Sequence, residues 1–136
     1  MLFERAKQYA DDVISGKEIT TPEVKKQCEW FYRDLQREKN DEYPYFFDLE
    51  FAKKLEGLLQ LMNFATGIGV VGKSVYDGLE NFQAFFLVNV FCWRYKSDKR
   101  EYRYREVVLF IPRKNAKTFI CAVIFIILML TEDEYS

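Results

Sequence analysis

Apolar positions recur at helical spacing through the first half of the chain. Leu2 to Ser15 reads as a first helix of mixed character, ended near Gly16. Thr21 offers an N-cap with Pro22 at the first helical position, a standard start signal. Behind it Val24, Cys28, Phe31 and Leu35 form one apolar face on an otherwise charged helix. The link from Lys39 to Phe47 is polar, then aromatic, and contains Pro44. Asp48 is placed to cap a third helix, whose face is Phe51, Leu55, Leu58, Leu59 and Met62.

The pattern then changes. Ala65 to Gly78 holds four glycines and reads as a loop or irregular segment. A fourth helix from about Glu80 to Trp93 is apolar almost all round, through Phe82, Phe85, Phe86, Leu87, Val88, Val90 and Phe91, so it belongs inside the protein. Arg94 to Arg105 is polar and basic, with Asp98 and Glu101 interspersed. Val107 to Ile111 is a continuous β-favouring run, the mark of a strand covered on both faces. Pro112 to Lys117 breaks it, and Phe119 to Leu130 resumes as an apolar helix. The largest shift in composition falls near Gly78, dividing a helical region, 1–78, from a strand–loop–helix region, 79–136. The expected class is α/β, with a mainly helical N-terminal region ahead of the start of a P-loop domain and an incomplete sheet.

Composition narrows the chemistry. A chain of 136 residues buries a core without disulfide or metal staples. Hydrophobic residues make up 49% and aromatics 18%, which places the chain among globular and not disordered sequences. Twenty basic and twenty-one acidic side chains nearly cancel, so any surface for nucleic acid or membrane has to be a local patch. Cys28, Cys92 and Cys121 are odd in number, far apart and each in an apolar stretch, the habit of reduced, buried cysteines. The chain has no histidine and no CxxC pair, which removes the usual zinc sites, Ser-His-Asp triads and Cys-His dyads. The N-terminus lacks the apolar core of a signal peptide, and the run Phe119 to Leu130 falls short of the about 20 residues that span a bilayer. A soluble intracellular protein is expected.

Two segments compete as phosphate loops. Gly67-Ile68-Gly69-Val70-Val71-Gly72-Lys73-Ser74 satisfies GxxxxGK[ST] letter for letter. A phosphate loop, however, leaves a buried strand and opens into a helix, whose N-terminal N–H groups and positive dipole end face the phosphates. A leucine-faced helix precedes Gly67, and Val75-Tyr76-Asp77-Gly78 supplies no more than a turn of helix after Ser74. The segment is read as a glycine-rich connection. Arg113-Lys114-Asn115-Ala116-Lys117-Thr118 lacks both glycines but sits between the best strand and the most apolar helix. Lys117 and Thr118 stand at the helix start, where an ammonium reaches β- and γ-phosphate oxygens and a hydroxyl binds Mg²⁺. The alternative is a basic turn with solvated charges.

At this point the chain resembles the large terminases of tailed phages. Their P-loop is written roughly R-x-N-[GA]-K-[ST], the form of Arg113 to Thr118. Upstream they carry an aromatic-Gln pair opening an apolar helix, and Asn81-Phe82-Gln83-Ala84-Phe85-Phe86 is similar. Tyr9-Ala10-Asp11-Asp12-Val13 with Gly16-Lys17, then Phe46-Phe47-Asp48, extend the likeness over nearly the whole chain, and in the family the Gly72-Lys73 segment is a connector. The resemblance implies an ATPase that uses ATP and Mg²⁺. In it Lys117 holds the β- and γ-phosphates, Thr118 ligates the metal, Arg113 senses or stabilises the γ-phosphate, and Gln83 beside Phe82 reads adenine. Lys114, Asn115 and Ala116 complete the loop. Ala116 departs from the more usual glycine, and its methyl crowds the phosphates or forbids a positive φ, so reduced affinity is expected.

The same resemblance implies a motor that packages viral DNA in the host cytoplasm, with double-stranded DNA, the small terminase subunit and the portal as partners. The acidic Mg²⁺-holding strand, the water-polarising glutamate and the nuclease domain of that family are not found here; Glu132, Asp133 and Glu134 follow a helix and read as a solvated end. The expectation is therefore the front portion of the motor, an expressed fragment or a truncated gene product, inactive alone and prone to self-association. Arg94 to Arg105, with Tyr95, Tyr102 and Tyr104, reads either as a DNA-backbone contact or as a solvated connection or strand extension, the latter favoured by its acidic residues. The rival functions are a different P-loop enzyme using Gly67 to Ser74 and a non-enzymatic helical interaction module.

Overall fold

A computed structural model describes residues 1–61, 74–104 and 117–131. Its elements are α1 (Leu2–Ser15), α2 (Pro22–Arg37), β1 (Tyr45–Phe47), α3 (Leu49–Leu61), α4 (Val75–Gly78), α5 (Asn81–Phe91), β2 (Trp93–Tyr95) and α6 (Lys117–Thr131). Among the described residues the class is mostly helical with one small antiparallel sheet. The expected strand Val107 to Ile111 and nearly all of the Gly67 to Ser74 segment lie outside the described residues.

Local chemistry sets the helix ends. Gly16 closes α1 in the left-handed region at φ 86°, donating its N–H to Val13 O, a conformation in which a β-carbon is strained. Thr21 Oγ1 accepts the Val24 N–H at 3.3 Å and Pro22 opens α2. Asp48 Oδ1 does the same for Phe51 N–H at 3.0 Å ahead of α3. Val75 to Gly78 is a single turn, as its sequence allows.

Packing follows the apolar faces. Leu2, Ala6, Ala10 and Val13 line the inner side of α1, and the two alanines let it lie close against α5 and α2. Phe31, Phe47 and Phe85 form the centre of an aromatic cluster: Phe31 stands 6.0 Å from Phe47 and 5.4 Å from Phe85, and Trp93 closes on Phe47 at 5.2 Å. Helix α5 is enclosed on several sides, with Ala84, Leu87, Val88 and Phe91 buried and Phe85, Phe86 and Val90 packed at the edge of the core. On α6, Val123 and Ile127 join the same core, while Phe125 and Met129 on the opposite side are largely exposed. Each large aliphatic side chain so buried contributes about 1.5–3 kcal/mol. No helix among the described residues is long and apolar enough to cross a membrane.

Two expectations are corrected. The fourth helix stops at Phe91 and not at Trp93; Trp93 begins β2, and its indole N–H donates to Asn89 Oδ1 at 3.1 Å. The stretch from Arg94 to Arg105, expected as a solvated connection or strand extension, is solvated only in part: Lys96, Ser97, Lys99, Arg100 and Glu101 are exposed, but its start is strand. Strand β2 pairs with β1 in the register Tyr45 with Tyr95, Phe46 with Arg94 and Phe47 with Trp93. Arg94 is fully buried, lying 4.5 Å from the Phe51 ring and 4.0 Å from the Tyr102 ring, and donates to Phe91 O and Lys99 O. A planar, weakly hydrated guanidinium tolerates this stacking where a lysine ammonium would not. Lys96 reaches back to donate to Glu38 O and Asn40 O, both at 2.8 Å, satisfying carbonyls at the end of α2.

Candidate nucleotide site

The start of α5 carries the aromatic-Gln pair. Glu80 is its N-cap, Asn81 and Phe82 open the helix, and Gln83 occupies the third helical position. Gln83 is only 5% exposed. Its Oε1 accepts the Glu80 N–H at 3.0 Å, half of a capping box that satisfies an otherwise orphaned donor. The Gln83 Nε2 makes no hydrogen bond among the described residues, and Phe82 is half-buried. The same amide thus has a structural task and, among the described residues, an unused donor edge.

A residue that the sequence reading missed fixes this corner. Arg5 projects from α1 and spreads its fork over the chain just ahead of Gln83. Its Nε donates to Asn81 Oδ1 at 3.0 Å, its Nη1 to Tyr76 O at 2.8 Å and its Nη2 to Leu79 O. The guanidinium also lies 5.0 Å from the centre of the Tyr76 ring. Burial lifts the Tyr76 phenol above its ordinary pKa, with Glu56 adding to the rise, while Arg5 pulls it back. The only sequence signal for Arg5 is its place beside the buried stripe Leu2, Ala6, Ala10.

At the other expected segment, α6 begins at Lys117, so Lys117 and Thr118 fall in its first turn. Their side chains, and the whole of Arg113, Lys114, Asn115 and Ala116, lie outside the described residues. Asn81, next in the chain before Phe82 and Gln83, is therefore brought together with Arg5, which also holds Tyr76 O and Leu79 O, whereas the loop residues enter only through the position of their helix. Among the described residues no group of three His, Cys, Asp or Glu side chains stands close enough to hold a metal ion.

Two other features stand apart. A shallow cavity of about 400 Å³ opens beside β1 and the start of α3, with Asp48, Glu50, Lys54 and Lys99 among its walls; it contains none of the expected site residues. A charged cluster joins α2 to the end of the β2 segment. Asp34, its side chain 3% exposed, receives Arg103 Nη1 at 2.8 Å and Arg33 Nε at 3.2 Å. Arg103 is ringed by Tyr45 at 4.5 Å, Tyr104 at 5.0 Å, Trp93 at 5.5 Å and Tyr43 at 5.9 Å. Asp34 falls three residues after the buried Phe31, so a carboxylate off the apolar face but near it was the legible hint.

No protein-family model matches the chain, and neither a curated protein nor a solved structure matches it.

Proposed function

We propose that the chain is the N-terminal portion of an ATP-hydrolysing motor subunit of the large-terminase kind, which packages double-stranded viral DNA together with a small subunit and a portal. The observation that carries this reading is the register between loop and helix. Helix α6 starts at Lys117, so the Lys-Thr pair of Arg113-Lys114-Asn115-Ala116-Lys117-Thr118 stands in the first helical turn. There the unpaired backbone N–H groups and the positive end of the helix dipole gather phosphate oxygens.

In this proposal Lys117 neutralises the β- and γ-phosphates, Thr118 contributes its hydroxyl to Mg²⁺, and Arg113 stabilises the γ-phosphate. Gln83 donates from Nε2 to the adenine edge while Oε1 stays committed to Glu80 N–H, and Phe82 borders the base. Arg5 keeps the chain before Gln83 in place through its three acceptors. Ala116 weakens the loop relative to a glycine. Host cytoplasm is the compartment that goes with this activity.

The test is a pair of substitutions in the full-length polypeptide. Lys117→Ala is expected to abolish ATP hydrolysis and Lys73→Ala to leave it near the starting rate. The reverse result overturns the assignment and hands the phosphate to Gly67 to Ser74.

A further inference from the structure

Helix α2 has a second, outward face that the core does not use. With Cys28 and Phe31 turned inward, Lys26, Trp30, Arg33 and Arg37 stand one above another on the solvent side, all exposed. Trp30 is 43% exposed, and tryptophan is a residue that folding normally hides.

This face is not a row of free side chains. The Arg33 guanidinium lies 5.4 Å from the Trp30 ring centre, and its Nε donates to Asp34 Oδ1 at 3.2 Å. The other Asp34 oxygen holds Arg103, which in turn lies 5.0 Å from the ring of the exposed Tyr104. A continuous chain of contacts therefore runs Trp30, Arg33, Asp34, Arg103, Tyr104. Because Asp34 is buried, Arg33 is anchored from below while 41% of its side chain remains exposed. Its two Nη groups meet no acceptor among the described residues.

We propose that this surface docks a protein segment that presents a carboxylate beside an apolar side chain. The planar Nη pair of Arg33 matches a carboxylate two bonds at a time. Trp30 and Tyr104 offer the apolar area on either side, and Lys26 and Arg37 extend the positive field along the helix. Trp, Tyr and Arg are the side chains that concentrate binding energy at interfaces. Holding Arg33 in place before binding lowers the entropy lost on binding. Nucleic acid fits the surface less well. A duplex carries one charge per about 1.7 Å of axis, and the exposed Glu23 and Glu29 of the same helix repel so continuous a row of phosphates. Discrete carboxylates can be spaced to avoid them. The inference goes beyond the nucleotide reading and does not depend on it.

The probe is a random copolymer of glutamate and tyrosine, with polyglutamate and a short DNA duplex as the other arms. Trp93 is buried, so acrylamide quenching of tryptophan fluorescence reports on Trp30. The copolymer is expected to shield Trp30 and to bind more tightly than either other probe. By titration calorimetry, Arg33→Gln and Trp30→Ala are each expected to weaken it about tenfold, with circular dichroism unchanged, and Lys17→Gln to leave it as it was. Arg33→Lys keeps the charge without the fork and is expected to stay weak. Absence of copolymer binding, tighter binding of the duplex, equal binding of polyglutamate, or variants that bind like the original chain would each overturn the proposal.

Discussion

Asp34→Ala removes the carboxylate that holds two arginines at once. The structure sets the magnitude. Asp34 is 3% exposed and Arg103 15% exposed at their side chains, with the Nη1–Oδ2 distance at 2.8 Å. Breaking a buried ion pair from one side costs about 3–5 kcal/mol, because the remaining charge is left without its partner. Two features soften this. The Arg103 guanidinium keeps four aromatic faces within 5.9 Å, each able to return about 0.5–1 kcal/mol, and its residual exposure admits water. Arg33, already at the surface, loses little. The expected destabilisation is therefore about 2–4 kcal/mol, read as a lower urea midpoint with an unchanged slope. Pairing Asp34→Ala with Arg103→Met removes the orphaned charge and is expected to recover part of the loss. The exposed Arg100–Asp98 pair serves as the control, and Asp98→Ala is expected to leave the midpoint where it was. An Asp34→Ala midpoint within error of the original, or a double variant no better than the single, would refute the reasoning.

Arg5→Ala is expected to lower stability by about 1–3 kcal/mol and to speed hydrogen exchange at Gln83 and Ala84. Arg5→Lys should recover little, since an ammonium cannot fork to the three acceptors; full recovery would mean that charge alone matters. Burial pushes the Cys28 thiol up from 9.0, with Glu29 adding to the rise, and the Tyr9 phenol up from 10.0, both to about 12. The unfolded chain therefore loses these protons first, so stability is full below about pH 9 and falls as the pH rises towards about 12; a urea midpoint that holds or rises across that window would contradict this. Phe125→Lys with Met129→Lys is expected to suppress concentration-dependent light scattering, because both side chains lie on the exposed apolar side of α6. Ile127→Lys, on the buried side, should instead unfold the chain.

The sequence alone determined the parts of this protein that depend on neighbours along the chain. Gly16 ended α1 because only a residue without a β-carbon adopts a φ of 86° easily, and Thr21 and Asp48 capped their helices because their oxygens sit three residues from a free N–H. Periodicity identified the buried faces of α2 and α3 and the enclosure of α5 for the same local reason. Helix α6 starts at Lys117, at the helix start read for Lys117 and Thr118 and two residues before its apolar run begins at Phe119. Tertiary structure decided the rest. Three-residue strands such as Tyr45–Phe47 and Trp93–Tyr95 have no period to read, and only their pairing across the intervening helices makes them strands. Arg94 and Arg103 read only as part of a basic stretch, and Arg5 drew no reading, because Arg94 stacks on the distant Phe51 ring and Arg5 bonds the carbonyls of Tyr76 and Leu79. Gln83 was legible as a helix-start residue and its capping bond to Glu80 N–H is local, but its burial was set by packing. A buried charge is stable only where its partners converge in space, and a linear pattern does not encode that convergence.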